Sequence, residues 1–231
     1  IFRGNIKHVY RYREGNDYIT EIEGGDGDKD FRKAVMNETL AAGTSSAQLV
    51  DRAVGTFSGV GGTTKGVIQV GSKTRLRGKV VSGNTRDVLN DVAREEGANW
   101  SIQDGQLTIV SANGTLPNEA IVITAETGML KAPEINDKGI AVKCLLNPQL
   151  KVNGAIKLDN NGIKAKRVKA QSLATKREKE ETDPKEPVRL DPDGIYKVLK
   201  LTHKGDTRGQ DWVSEIECIG LDQPIPESRS K

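Results

Sequence analysis

The two ends of the chain carry one strand-turn-strand pattern twice, and this duplication limits the fold more than any other feature. Gly15-Asn16-Asp17-Tyr18-Ile19-Thr20-Glu21-Ile22-Glu23 matches Gly209-Gln210-Asp211-Trp212-Val213-Ser214-Glu215-Ile216-Glu217 without a gap, each substitution keeping size and polarity. At the same offset Ile1-Phe2-Arg3 corresponds to Ile195-Tyr196-Lys197. The run from Ile1 to Gly25 is rich in β-branched and aromatic residues and is broken at Glu14-Gly15-Asn16, the pattern of a β-hairpin, so its repeat is a second hairpin. Side chains alternate along a strand, which places Tyr18, Thr20 and Ile22 on one face and Asp17, Ile19, Glu21 and Glu23 on the other, with the second copy in the same order. Duplicated β-modules suit a protein that must present quasi-equivalent surfaces, for example a trimer offering six similar edges to a sixfold partner.

Between the hairpins the period changes. A Gly/Asp-rich stretch, expected to be a loop, leads to a strand ending at Leu40. Ser45 with Gln48 three residues on is a capping box that opens a helix with Ala47, Val50, Val54 and Phe57 on its apolar stripe, closed by Gly59, Gly61 and Gly62. A second helix begins after Asn84, carries Asp87 in its first turn and Val88, Leu89, Val92 and Ala93 on one stripe, and ends at Gly97. It runs into a hairpin in which Trp100 and Ile102 precede Asp104-Gly105, and Leu107 and Ile109 alternate in the return strand. Further strands are expected at Ala120–Thr124, Ile140–Leu146 and Ala155–Leu158, separated by Asn, Gly and Pro turns. Residues 160–194 have no apolar period and read as a long charged, solvent-facing loop. The expected fold is therefore mainly β with a small α+β insert: a first β-barrel-like domain in 1–43, the insert in 44–111, and a second, related β-barrel-like domain in 112–231. The chain opens at Ile1, without Met and inside a strand, so an N-terminal portion of the first domain is expected to precede it.

Composition excludes several classes. At 231 residues with 35% hydrophobic, 4% aromatic and 25 glycines, the chain has enough interior for a core and is loop- and strand-rich rather than a helical bundle. No window approaches the roughly 18 uninterrupted apolar residues of a spanning helix, and no signal peptide is readable. A net charge of +3 is too small to argue for specific nucleic-acid binding, and the basic run Lys164 to Lys169, with Lys166 and Arg167, reads as a solvated face. Cys144 and Cys218 read as buried small hydrophobes rather than a disulfide.

Candidate chemistry is sparse. His8 and His203 are the only histidines, and His203, beside a turn, is expected to hydrogen-bond backbone. No G-x-S-x-G, H-E-x-x-H, P-loop or C-x-x-C pattern occurs. Asp26, Asp28 and Asp30 have the spacing that opens an EF-hand loop, but Phe31 replaces its glycine and Asn37 its bidentate glutamate, which favours a solvated turn. Glu21 with Glu23 and Glu215 with Glu217 could be the carboxylate pairs of a peptidoglycan hydrolase. Their recurrence in a repeat fits a ring surface better than one asymmetric active site. The expectation is a non-enzyme with no catalytic residue, cofactor or metal, and with no membrane partner.

A set of turn and cap phrases, taken in order, resembles the baseplate hub proteins of phage tails, especially those of contractile-tailed phages. They are Gly24-Gly25-Asp26-Gly27-Asp28, Ser82-Gly83-Asn84-Thr85, Trp100-Ser101-Ile102-Gln103-Asp104-Gly105, Ala125-Glu126-Thr127-Gly128-Met129-Leu130 with Pro133-Glu134, Leu145-Leu146-Asn147-Pro148, and His203-Lys204-Gly205-Asp206-Thr207-Arg208-Gly209. The resemblance implies a homotrimer with two β-barrel-like domains per subunit in a pseudo-sixfold ring, joining the tail tube to the central spike and touching other baseplate proteins. It implies a place in the virion, with assembly in the host cytoplasm. Val152-Asn153-Gly154 departs from the Pro-Gly that similar hubs carry and puts a turn in question; the charged loop departs too. For subunit contacts the hairpins offer Asp17, Tyr18, Glu21 and Glu23 with Asp211, Trp212, Glu215 and Glu217, the aromatics being the better anchors.

Overall fold

The computed structural model describes residues 4–71, 73–136, 139–159 and 193–221, and the chain divides into two compact units, Ile1–Ala112 and Asn113–Lys231. The Ile1-Phe2-Arg3 half of the sequence match and almost all of the charged loop lie outside the described residues.

The first unit opens with the expected hairpin, β1 (Asn5–Glu14) and β2 (Asp17–Gly25), joined at Gly15-Asn16. Gly15 has φ 61°, the positive value that a two-residue turn with glycine at its first central position requires. These strands form a two-stranded sheet of their own. The remainder is α+β: α1 (Asp28–Lys33), β3 (Val35–Leu40), α2 (Ser46–Val60), β4 (Thr64–Ile68), β5 (Lys79–Asn84), α3 (Thr85–Glu96), β6 (Ala98–Gln103) and β7 (Gln106–Ser111). β3 pairs with β5, and β7 lies between β6 and a parallel β4.

Both long helices start where the caps put them. The Ser45 hydroxyl accepts from Gln48 N while the Gln48 side chain accepts from Ser45 N, and the Asn84 side chain accepts from Arg86 N. Gly97 closes α3 with φ 60°. The buried stripe of α2 is Ser46, Leu49, Val50, Ala53 and Phe57, so the expected stripe is rotated, with Ala47 and Val54 at its margin. Leu89, Val92 and Ala93 of α3 are buried as expected, with Val88 packed at the edge. Met36, Leu40, Leu107 and Ile109 complete this core. One expectation fails: the Gly/Asp-rich stretch is not simply a loop but contains α1, whose Asp28 and Asp30 are buried. A short helix forms there because both acids find partners. Asp28 pairs with Lys7 at 2.9 Å and Arg32 at 2.5 Å. Asp30 accepts from the backbone N–H and hydroxyl of Thr63.

The second unit is one six-stranded sheet that curls into a half-barrel. Its strands are β8 (Ile121–Ile123), β9 (Met129–Asn136), β10 (Gly139–Leu145), β11 (Ala155–Leu158), β12 (Ile195–Gly205) and β13 (Trp212–Gly220), in the order β8-β11-β12-β13-β10-β9. All neighbours are antiparallel except β8 and β11. Ile140, Val142, Ile156, Tyr196, Val198 and Ile216 line the core face. Cys144 lies opposite Ser214 and Cys218 opposite Ile140, so the two thiols share a face without meeting, and both are free. The doubtful turn at Val152-Asn153-Gly154 forms. Gly154 N donates to Lys151 O at 3.0 Å while Asn153 takes φ 63°, a left-handed conformation that asparagine tolerates better than most residues.

Candidate functional site: the two related hairpins

The hairpin β12–β13 reproduces β1–β2 in register and in a defect. His8 faces Glu23, Tyr10 faces Glu21 and Val9 faces Ile22; in the second copy Lys200 faces Glu217, Thr202 faces Glu215 and Leu201 faces Ile216. Each hairpin then has a bulge at one equivalent place, between Ile6 and His8 in the first and between Val198 and Lys200 in the second. A bulge adds an unpaired residue and flips the side-chain alternation beyond it, so two strands sharing one at the same rung share a design beyond amphipathic pattern.

The first strands nevertheless correspond differently from the gap-free reading. Two residues separate Glu14 from Asp17, whereas the second turn holds four between Asp206 and Asp211, closed by Asp206 N donating to Asp211 O at 3.0 Å. Ile6 rather than Gly4 therefore takes the place of Val198. The second-strand match, Asp17 to Glu23 on Asp211 to Glu217, stands as read.

The face assignment also stands. One face of the first hairpin carries Ile6, Val9, Arg11 and Arg13 with Tyr18, Thr20 and Ile22, and its counterpart carries Val198, Leu201, His203 and Gly205 with Trp212, Ser214 and Ile216. In the second unit this face is core: Val198 is 0% and Ile216 1% exposed. In the first hairpin the equivalents Ile6 and Ile22 are 67% and 61% exposed, with Val9 and Tyr18 similarly open. The aromatic at the turn end is held in two ways. Arg11 and Arg13 lie over the Tyr18 ring at 5.6 and 5.9 Å. Trp212 sits against Gly205, where a Cβ would meet its ring at 3.0 Å.

The opposite face holds the acids. Glu215 is clamped by Lys204 Nζ at 2.7 Å and Lys143 Nζ at 3.7 Å, the latter from the neighbouring β10. The Lys204 hydrogen bond, with both ammonium charges, holds its carboxyl below the usual glutamate range. Lys131, Lys143, Lys200, Glu215 and Glu217 frame a groove of about 310 Å³ on this face. A glycosidase general acid needs a carboxyl raised above its ordinary value; Glu215 is displaced the other way. Glu21 and Glu23 are exposed and have no ion-pair partner among the described residues.

The other candidates resolve into structural roles. His203 does not bond backbone as expected; its Nδ1 lies 2.9 Å from Ser214 Oγ, which also accepts from Asn147 N at 3.1 Å. Burial lowers the imidazole pKa, which favours the neutral ring. Asp26, Asp28 and Asp30 do not converge. Asp26 accepts from Gly105 N at 3.0 Å, while Asp28 and Asp30 point to the separate partners given above. Sequence reading missed Lys197, buried to 1% exposure in β12, whose ammonium burial brings down to about 8. Alternation with the core-facing Tyr196 and Val198 puts Lys197 on the opposite face, and nothing in a strand pattern marks a lysine there as buried.

Residues 69–161 match a protein family described as baseplate hub gp41. Among solved structures the chain is similar in fold to the 43 kDa tail protein of prophage MuSo2 from Shewanella oneidensis. The TM-score is 0.56 at 10% identity, covering 96% of this chain and 78% of that one. No curated protein sequence matches. The family is described as a baseplate hub and the solved structure as a prophage tail protein, so the resemblance to baseplate hubs is borne out, as is the mainly β fold.

Proposed function

We propose that this phage baseplate component is a trimeric hub. Three copies would each contribute β1–β2 and β12–β13, giving six hairpins of one backbone design in a pseudo-sixfold ring between a sixfold tail tube and a threefold central spike, with other baseplate proteins around it. The observation that carries this reading is the shared bulge, because a duplicated backbone lets a threefold assembly offer six near-equivalent edges. Closed rings of this kind draw much of their stability from the subunit contacts. Tyr18 and Trp212 would anchor contacts from one face; Asp17, Glu21 and Glu23 with Asp211, Glu215 and Glu217 would set charge register from around the other. The protein would act in the virion, assembled in the host cytoplasm, by holding symmetry-mismatched partners together and not by covalent chemistry.

The test is the solution mass of the chain over a concentration range by analytical ultracentrifugation, alone and with tube or spike protein added. A trimer, or a monomer that trimerises with concentration or partner, is expected. A monomer under all of these conditions would remove the ring.

A further inference from the structure

The groove on the outward face of the second unit holds charge that the unit itself does not balance. Two cross-strand rows frame it. One runs Lys131, Lys143 and Glu215 across β9, β10 and β13, and the next runs Glu134, Ala141 and Glu217 across the same strands. Glu215 is satisfied at its far side by Lys204 at 2.7 Å and takes Lys143 only at 3.7 Å, which leaves Lys131 facing another lysine on its rung. Among the described residues Lys131 makes no ion pair, nor does Glu217. Like charges directly opposite destabilise a ladder. Here the ladder is shaped to keep them together: the β9–β10 register shifts on either side of the Lys131–Lys143 rung, and the first shift brings Lys131 and Glu134, three residues apart, to one face. A lysine that only guards the β9 edge against pairing needs no second lysine on the same rung.

The order of charge selects the ligand. A carboxylate set between Lys131 and Lys143 relieves the like-charge rung. From there Glu217 is one and a half strand spacings farther across the sheet, about 7 Å, which is also the distance from residue i to i+2 of an extended chain. Ala132 and Ala141 give the groove, about 310 Å³, small side chains that let another backbone come close. A polyanion such as nucleic acid is a poor occupant, because its next phosphates would meet Glu134, Glu215 and Glu217. We infer that the groove binds an extended segment of a partner protein with the pattern acid-x-base, its carboxylate between Lys131 and Lys143 and its lysine or arginine toward Glu217. The inference does not depend on whether the chain forms a ring.

The test titrates the 231-residue chain at low salt with the peptide Gly-Ser-Glu-Thr-Lys-Ser-Gly, capped at both ends, and reads backbone amide shifts by NMR. Shifts are expected along β9 and β10 and at Glu217. The peptide with glutamine in place of its glutamate should bind about threefold to fivefold more weakly, the upper range for one exposed ion pair. In the chain, Lys131→Gln removes no ion pair of the unit and should give the same loss with unchanged stability, while Lys131→Glu should prefer a peptide whose glutamate is replaced by lysine. Sodium acetate at the same concentration should move these amides far less than the peptide does. Shifts centred on other strands, full affinity in Lys131→Gln, or acetate matching the peptide, which would make this a bare-anion site, would each overturn the inference. So would self-association of the peptide-free chain that Lys131→Gln abolishes, because the groove would then belong to a second copy. The solution mass of the unsubstituted chain answers separately for the ring.

Discussion

Ile22 and Ile216 occupy the same rung of the same backbone, so the substitution Ile→Ala in each separates what the backbone contributes from what covers it. At Ile216, 1% exposed, the substitution removes about three buried carbons at ~0.8 kcal/mol each and leaves a cavity, for a total of about 3–4 kcal/mol. At Ile22, 61% exposed, only about 40% of the transfer contribution is at stake and the site can relax, giving about 1 kcal/mol or less. With a urea m-value of about 2 kcal/mol/M for a unit of this size, the midpoint should fall by about 1.5–2 M for Ile216→Ala and by less than about 0.5 M for Ile22→Ala. Tryptophan fluorescence suits the assay because each unit carries one tryptophan, Trp100 in the first and Trp212 in the second. The Trp212 transition should move with Ile216→Ala while the Trp100 transition should move little with Ile22→Ala. Equal costs at the two positions would refute the reasoning, since they would mean that the first hairpin already packs its apolar face in the free chain.

Three further outcomes follow from individual side chains. Lys197 has its ammonium lowered from 10.5 to about 8 by burial, so between those values the unfolded chain holds a proton that the folded chain lacks and stability rises with pH. Lys197→Met should flatten that rise, worth about 3 kcal/mol at most, in urea titrations taken from about pH 7 to pH 11. Ser45→Ala removes one arm of the α2 capping box and should cost about 1 kcal/mol by thermal unfolding, with Ser45→Gly less harmful. Gly27→Ala places a methyl on a residue with φ 61° and drives it into the Ile102 side chain; the expected loss is about 2–4 kcal/mol, measured as a lower melting temperature with the second unit unaffected.

Local signals carried most of what could be read from the sequence. The turns at Gly15-Asn16 and Asp104-Gly105 and the caps at Ser45, Asn84 and Gly97 depend on backbone geometry within a few residues, and the structure has each in place. Strands defined by distant partners were harder. β4 contains Lys65-Gly66 and is a strand because β7 runs parallel beside it. β9 contains Pro133, which argues against a central strand and is tolerated because β9 lies at the sheet edge. In the candidate site, alternation fixed which residues share a face, but the two copies have one pattern and opposite burial. Pattern records a face's composition and not its cover. The lysine opposite Glu215 arrives from β10, some seventy residues away in the chain, and no spacing rule reaches it.

The divergence between the copies bears on the ring as much as their similarity does. Six positions around a threefold assembly alternate between two environments, so the backbone must repeat while the surfaces need not. The hairpins behave in that way. The shared bulge and register are kept, yet the acid-bearing face of the second copy is closed on itself by Lys204 and Lys143 around Glu215, while in the first copy Glu21 lies across from Tyr10 and Glu23 across from His8 with no ion pair among the described residues. A face whose charges are already paired offers little to a partner beyond shape and screens its own field. A face with unpaired acids beside a His8–Tyr10 stack at 5.8 Å has charge and aromatic surface still to spend on recognition. If the ring forms, specificity for neighbours should therefore reside in β1–β2 and mechanical continuity in β12–β13. Reversing Glu21 should weaken assembly in a salt-dependent way, with weakening of about threefold to fivefold at low salt. Reversing Glu215 should instead lower the stability of the second unit by about 1 kcal/mol through its lost lysine partners. Sedimentation and urea unfolding of the two variants distinguish these effects, and an assembly defect confined to the Glu215 variant would assign the roles the other way round.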